Sequence, residues 1–587
     1  MPRSCGSRKE APWRLFSLAI PFAAAMPVAW LLPNHYYPWL SAWQEGAALA
    51  LLFAAALLCR ARAGLPALWA ATLVVALGSV GWQWASGRIW FGGDALMAAL
   101  YLSAFGLAIA LGAALAPTAP AAPPAPATGG AFGPQHRGLD FVDLFGAGLV
   151  VGALVSTFIA LVQWTGAFSL GIWAADLPPG ARPFANLAQP NHLCTLAFFG
   201  LAGLALLREG GRIGAAGWWS GAAFLLLAML MSGSRTGLVQ LAVALGLLLA
   251  LGRRSAVRIG ARTMLLLLAL LVLGTLAWPA LNHALLLAGE RNAAGQLQGG
   301  GRELLWPALA DAIGREPWSG YGWQQMVLAQ EAVALDHAPI RRHFEHSHNI
   351  VLDLLVWAGV PVGALIALLA AAALWQQLRA VRDARALWLL LAVCGVLVHA
   401  MFEFPLEYAY FLLPSGLALG AAWAMQVPAP PRRLPPALVP AAGLALGALL
   451  FVIALDYLEA EQNHRILRLE SARIGVTRLE TPAPRLRLLD QQQAFLEFAR
   501  TEARRGMSAA ELEKMRRVSQ RFAYPPAMLR YAIAAGLNGQ PEVAARTLAR
   551  LCRIHPRVRC EEARAGWQAL QQRDPELRAV PLPPDLP

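Results

Sequence analysis

Charge is scarce in this sequence. Asp, Glu, Lys and Arg make up 14% of the 587 residues while 57% are hydrophobic, against roughly 25% and 45–50% in a soluble globular chain. That scarcity excludes a soluble globular class and reads as a membrane protein. The formal charge of +14 would elsewhere suggest nucleic acid. Here the arginines cluster in short loops between apolar runs, as topology signals do, so no nucleic-acid partner is expected. A cleavage site followed by a soluble chain is also missing. Arg3, Arg8, Lys9 and Arg14 precede the first apolar run, and Pro21, Pro27 and Pro33 interrupt or bound it, so it reads as a membrane helix rather than a removed signal peptide.

What is present is a series of apolar runs. They lie near residues 14–32, 41–58, 65–84, 93–115, 141–164, 191–207, 213–231, 236–251, 263–279, 350–374, 386–401, 408–425 and 436–455. Each approaches the roughly 20 residues that carry a helix across the bilayer, and together they predict an all-α polytopic protein of about thirteen spans. With the N-terminus inside, alternate loops hold Arg60/Arg62, His136/Arg137, Arg208/Arg212, the four arginines from Arg253 to Arg262, Arg379/Arg382/Arg385 and Arg432/Arg433. All of these then fall on the cytoplasmic side. An odd number of spans exports the long polar excursion, about 280–348, and everything from Asp456 onward. In a double-membrane bacterium that compartment is the periplasm.

The expected organisation is a transmembrane core over 1–455, with a flexible cytoplasmic Ala/Pro linker at 116–134, and a small exported helical domain over 456–587. In that domain, the stretch from Tyr531 to Leu551 around Gly539-Gln540-Pro541 reads as parts of helical-hairpin, TPR-like repeats. Cys552 and Cys560, eight positions apart around His555-Pro556, are candidates for a disulfide in an oxidising compartment; the alternative is two unpaired core cysteines.

Four polar places are expected to face the outer compartment. The first is Asn186-Leu187-Ala188-Gln189-Pro190-Asn191-His192, at the mouth of the sixth span, where a proline early in a helix sacrifices no hydrogen bond. The second is the turn Ser232-Gly233-Ser234-Arg235-Thr236-Gly237, with an arginine on the side that usually lacks one. The third is the long excursion, with Gly301-Arg302-Glu303-Leu304-Leu305-Trp306, Gly320-Tyr321-Gly322-Trp323, and the run Arg341-Arg342-His343-Phe344-Glu345-His346-Ser347-His348-Asn349 that meets the tenth span. The fourth is the outer turn Glu403-Phe404-Pro405-Leu406-Glu407-Tyr408-Ala409-Tyr410. Guanidinium groups beside a hydrophobic slot suit a lipid diphosphate. A histidine, with an ordinary pKa near 6.5, suits removal of a proton from an attacking hydroxyl.

Each element has a plainer reading. His348 is then a helix-entry residue bonded only to backbone, Arg235 a snorkelling side chain, and Glu403 and Glu407 solvated turn residues. Asp353, five residues past His348, points off that residue's face and is read as structural or channel-lining. The cluster His343-x-x-His346-x-His348 with Glu345 lacks the helical His-x-x-x-His pair and any nearby cysteine, so no metal site is expected.

The motifs Asn186-x-x-Gln189-Pro190-Asn191-His192, Ser234-Arg235-Thr236-Gly237, Gly301-Arg302-x-x-x-Trp306, His346-Ser347-His348-Asn349-x-x-Leu352 and Glu403-Phe404-Pro405-Leu406 resemble those of the bacterial protein O-oligosaccharyltransferases. These are protein glycosylation ligases of the superfamily that includes the O-antigen ligases and Wzy-type polymerases. The resemblance covers residues 140–425 by motif and the whole chain by layout. It implies an inner-membrane glycosyltransferase that moves a preassembled oligosaccharide from undecaprenyl diphosphate to a hydroxyl, usually a serine of a pilin-like or other exported protein. Inversion at the anomeric carbon is common, and neither a nucleotide sugar nor a required metal or other cofactor is implied. By position it makes His348 the essential histidine, Gln189 the amide of the first motif, and Arg235 and Arg302 the arginines of the ligase branch. The family's tyrosine is Tyr408 or Tyr410. Asn191, His192, Arg341, Arg342, His346, Asn349 and Glu403 are expected to line the substrate site with them. Two enzymatic alternatives share the donor and differ in acceptor: O-antigen ligation to lipid A core, and O-antigen polymerisation. A secondary transporter is the non-enzymatic alternative, although its paired, interrupted helices with mid-membrane ionisable groups are not the pattern here.

Overall fold

The computed structural model describes residues 25–118, 138–187, 189–285, 301–427, 434–471 and 482–583. The N-terminal tail with Cys5, most of the first apolar run, most of the Ala/Pro linker, Ala188, Arg432/Arg433 and residues 286–300 of the long excursion lie outside them. Among the described residues the ordered elements are helices, with no β-strand. In chain order they are α1 (Val28–Leu31), α2 (Ala42–Leu58), α3 (Ala67–Ala85), α4 (Gly92–Leu115), α5 (Phe141–Thr165), α6 (Pro190–Glu209), α7 (Ala215–Ser232), α8 (Thr236–Leu251), α9 (Ala261–Ala284), α10 (Arg302–Arg315), α11 (Met326–Val333), α12 (Ile350–Ala380), α13 (Ala384–Ala400), α14 (Ala409–Ala424), α15 (Leu438–Ser471), α16 (Asp490–Arg500), α17 (Ala509–Arg521), α18 (Pro525–Leu537), α19 (Pro541–Ile554) and α20 (Arg557–Arg573).

Eight of these, α3, α4, α5, α6, α7, α9, α12 and α15, are long and apolar enough to cross a membrane; α2, α8, α13 and α14 are shorter apolar helices. The chain is a multi-pass membrane protein. Every apolar run from the second onward coincides with a helix. The last does not stop where the hydropathy falls: α15 continues through Asp456 and Glu461 to Ser471, so the expected boundary at 456 lies inside a helix. Backbone hydrogen bonding does not depend on the apolar pattern, and a helix continues past the hydrocarbon until its sequence breaks it.

The chain divides into two compact units. The first comprises residues 1–70, 103–290 and 371–450. Its centre is α6, almost wholly buried, against which α5, α7, α8 and α13 pack. Where α4 and α14 cross, a side chain is impossible: a Cβ on Gly420 would stand 1.9 Å from the Ile109 carbonyl oxygen, which is how small residues let apolar helices approach. At one end of this unit Asp140 caps α5 in a reciprocal capping box with Asp143, and Asp143 receives Arg212 at 2.7 Å and Arg385 at 3.3 Å. The polar motif residues of the unit sit at the other end.

The second unit comprises residues 71–102, 291–370 and 451–587. One core joins Leu305, Leu309, Met326, Trp323 and Trp357 with Ala76 and Val80 of α3. Within α12 the helix is kinked at Gly359, whose φ of 74° is a conformation that glycine adopts without strain. The kink frees the carbonyls of Val356 and Trp357, and these accept the amides of Tyr321 and Gly322 at 2.8 and 3.0 Å. That docking explains the Gly320-Tyr321-Gly322-Trp323 motif. The tail packs as α17–α20, joined by short turns, with proline opening α18 and α19. It also holds α4: Asp490 accepts the amides of Gly92 and Gly93 at 2.9 and 2.7 Å, and Arg521 grips Asp94 at 2.8 and 3.0 Å. A carboxylate on the open amides of a helix start satisfies donors that have no intrahelical partner.

Candidate functional site

The motif residues fall into two sets, one in each unit. In the first unit the mouth of α6 is built on Asn186, a fully buried side chain. Its amide donates to the carbonyls of Leu31 and Trp173 at 2.7 and 2.8 Å, and its oxygen accepts the amide of Ala175 at 2.9 Å. With all three bonds made to backbone, Asn186 shapes the loop rather than meeting a substrate. Pro190 then opens α6 at its first position.

Beyond it runs a chain of polar side chains. Gln189 Nε2 lies 3.0 Å from His192 Nε2, and His192 Nδ1 lies 2.9 Å from the Tyr410 hydroxyl. His192 is fully buried. The Tyr408 ring meets it edge-on at 4.4 Å. The two tyrosines therefore differ in what they offer: Tyr410 its hydroxyl to the imidazole, Tyr408 its ring. Asn191 donates to Glu403 at 3.1 Å. Glu403 is only 7% exposed, which corrects its reading as a solvated turn residue; the short turn after α13 folds the carboxylate inward onto α6.

Three further residues, absent from the expected set, tie these elements together. Gln240 of α8 donates to the Thr195 hydroxyl and to the Gly395 carbonyl, both at 2.9 Å, and Thr195 lies 2.8 Å from His399 Nδ1. A glutamine within an apolar helix was the available signal. The turn between α7 and α8 carries Arg235, whose side chain is exposed. Beneath the turn, Arg182 donates to the carbonyls of Ser232 and Gly233 at 2.7 and 3.1 Å. The first, second and fourth polar places thus share one end of this unit.

The second unit holds the long-excursion motifs. Trp306 Nε1 donates to the Ser347 carbonyl at 2.9 Å, so the Gly-Arg-x-x-x-Trp and His-Ser-His-Asn motifs are in contact. Arg302 stands at the first position of α10, half-buried, after Gly301. The histidine-bearing loop is locked from several sides. Gln330 accepts the amide of Phe344 at 3.0 Å and donates to the Arg342 carbonyl at 2.8 Å, while the Arg342 guanidinium lies over the Phe344 ring. The amide of Arg341 donates to the Arg553 carbonyl at 2.9 Å. Asp353 accepts the amide of Ser347 at 2.7 Å. Asn349 caps α12, accepting the amides of Val351 and Leu352 at 3.0 and 3.1 Å. Helix entry is thus the work of Asn349, not of His348.

His348 is 9% exposed and has a φ of 61°. A non-glycine residue in the left-handed region is uncommon, and such strain persists where the surroundings over-determine it. Its neighbours are enclosed imidazoles. Burial depresses His346 to about 4, lowers His343, and depresses His555, whose ring stacks on His343 at 5.8 Å, to about 4. These three are neutral at pH 7. Among the described residues no group of three or more His, Cys, Asp or Glu side chains is placed to hold a metal ion. Cys552 and Cys560 are joined, with Cα atoms 4.6 Å apart, while Cys59, Cys194 and Cys394 are free and buried.

Three protein families match segments of the chain. One described as O-antigen ligase covers residues 220–367, one described as protein glycosylation ligase covers residues 183–207, and the C-terminal region of a virulence-factor membrane-bound polymerase covers residues 385–570. A general O-oligosaccharyltransferase of Acinetobacter baylyi is 28% identical over 563 residues, 92% of this chain and 93% of that protein. A ComP-specific O-oligosaccharyltransferase of the same organism is 29% identical over 245 residues, 41% of this chain and 43% of that protein. The chain carries segments matching the O-antigen ligase and protein glycosylation ligase families, is similar along nearly its whole length to an O-oligosaccharyltransferase, and is a glycosyltransferase.

Proposed function

We propose that the chain transfers a preassembled oligosaccharide, as one block, from undecaprenyl diphosphate to a serine or threonine hydroxyl of an exported or pilin-like protein. The reading is carried by the likeness to a general O-oligosaccharyltransferase along nearly the whole chain. In it His348 takes the proton of the acceptor hydroxyl as that oxygen bonds to the anomeric carbon. The bond from that carbon to the diphosphate oxygen breaks, and undecaprenyl diphosphate leaves with the electron pair. Arg235 and Arg302 act on the diphosphate, where charge gathers most strongly in the transition state. Gln189, Asn191, His192, Arg341, Arg342, His346, Asn349, Glu403, Tyr408 and Tyr410 form or support the substrate-binding surfaces.

The same reading gives about thirteen spans in the bacterial inner membrane. The core runs to residue 455, and the long excursion and helical tail are periplasmic. An alkaline phosphatase fusion at Glu470 tests this: an active fusion supports it, and an expressed but inactive one shifts the span count by one.

The deciding experiment reconstitutes the purified full chain with lipid-linked oligosaccharide and offers a serine-containing peptide, lipid A core, or a second lipid-linked glycan. A modified peptide is the expected result. Modification of lipid A core alone makes the chain an O-antigen ligase. Extension of the glycan alone makes it a polymerase, the second reading that the C-terminal likeness to a membrane-bound polymerase favours.

A further inference from the structure

The second unit holds a cavity of about 440 Å³ that meets the Gly320-Tyr321-Gly322-Trp323 motif through Tyr321 and is lined by none of the residues proposed above for catalysis or substrate binding, within the roughly 300–1,000 Å³ of small-ligand pockets and far above the ~30 Å³ of one water. Its walls come from the α3–α4 turn, the excursion and the tail: Trp90, Tyr321 and Leu328 give apolar and aromatic surface, and Gln520, Glu331 and Arg550 give polar groups. Glu331 is 4% exposed, and its Oε1 has no hydrogen-bond partner; Arg550 Nε is also buried without one. The two side chains approach only to 3.9 Å. Buried donors and acceptors left unmade are costly, so a ligand toward which the Glu331 and Arg550 side chains turn to complete their bonding is favoured.

The charges around the cavity limit what that ligand is. Arg88 is paired with Glu316 at 2.9 Å and Arg516 with Glu513 at 2.7 Å, while Arg550 and Glu331 offset each other. An anion would meet the Glu331 carboxylate and a cation the Arg550 guanidinium. A neutral hydroxyl suits both side chains, donating to the Glu331 carboxylate while accepting from the Arg550 guanidinium. A sugar ring adds an apolar C–H face for Trp90 and Tyr321. We propose that this cavity is a saccharide-binding subsite, holding one or a few sugar units of the glycan away from the bond that is cut. The assignment rests on the reading of the chain as a glycan transferase. It also gives α11 two faces: Gln330 holds the His348 loop while its neighbour Glu331 lines the cavity.

The test uses the full chain in lipid nanodiscs and, as probe, the free oligosaccharide released by mild acid from the lipid-linked donor. Saturation-transfer NMR is expected to show saturable binding that weakens at least about tenfold in Glu331→Leu and in Gln520→Ala, the loss of roughly one good hydrogen bond. The KM for full-length lipid-linked glycan should rise in step with little change in kcat, while the KM for a lipid-linked monosaccharide stays unchanged. Thermal melting identifies a variant that fails to fold, and Gln520→Ala, at a half-buried position, serves if Glu331→Leu does not. Folded variants with unaltered probe binding and unaltered KM overturn the proposal. So does selective loss of binding of a serine-containing peptide, which would make the cavity an acceptor site. If free glycan binds through Glu331 but no glycan is ever transferred, the functional reading fails and the cavity stands. If transfer proceeds without any dependence on Glu331 or Gln520, the cavity assignment fails alone.

Discussion

Asp353, on the first turn of α12, holds the backbone amide of Ser347 at 2.7 Å. Ser347 immediately precedes the residue proposed as base, and the carboxylate is 1% exposed. Asp353→Ala removes the carboxylate that tethers that buried amide and is expected to reduce transfer about tenfold or more. Asp353→Asn, which keeps an acceptor, should retain much more activity. The check is kcat/KM for both variants; equal activity in Asp353→Ala and the parent chain refutes the tether.

His348 combines an unusual backbone with a proposed chemical role, and the two are separable. Asparagine tolerates the left-handed conformation better than most residues, so His348→Asn preserves the loop while removing the base. Both His348→Asn and His348→Ala should lose roughly 10²–10⁴-fold in kcat, the usual worth of a positioned base. If His348→Asn transfers at the parental rate, the imidazole is not the base.

The enclosed imidazoles around the loop predict a pH dependence of stability. His346 and His555 lie near 4, and His343 is also lowered, all by burial. Each is neutral in the fold and binds its proton more readily once unfolded. Their contribution is therefore fully present above about pH 6.5 and is lost as the pH falls from there towards 4. Melting followed by tryptophan fluorescence should show Tm at pH 5 at least about 3 °C below that at pH 7.5. His555→Gln should flatten the trend, and an unchanged slope would count against it.

Tyr410 and Tyr408 should separate cleanly. Tyr410→Phe leaves a fully buried His192 without the hydroxyl at its Nδ1, at a cost of about 1–3 kcal/mol. Tyr408→Phe keeps the edge-on ring contact with His192. Lower Tm for Tyr410→Phe alone is the expected outcome; a loss of transfer in Tyr408→Phe with unchanged Tm would assign the family's functional phenol to Tyr408.

Hydropathy made the apolar helices legible because a long apolar run has few other stable fates in a folded chain. It did not show that α15 runs on to Ser471, since the extra turns carry charges on a helix already nucleated. At the site, sequence spacing singled out the histidine loop and the mouth of α6. It did not show that Trp306 reaches Ser347, that Asn191 meets Glu403, or that Gln240 joins Thr195. Those pairs are 41, 212 and 45 residues apart, and spacing rules on one helix are silent about partners brought in by tertiary packing. Asp353 illustrates the limit: a helical direction from His348 to Asp353 presumes that both sit on α12, whereas the helix starts at Ile350 and the histidine belongs to the preceding loop.

The tail is more than an appendage of the second unit. Arg553 accepts the Arg341 amide and donates to the His337 carbonyl at 2.6 Å, Tyr524 donates to Glu345 at 3.2 Å, and His555 lies flat against His343. Cutting the gene after the last apolar helix would therefore leave the histidine loop without its anvil.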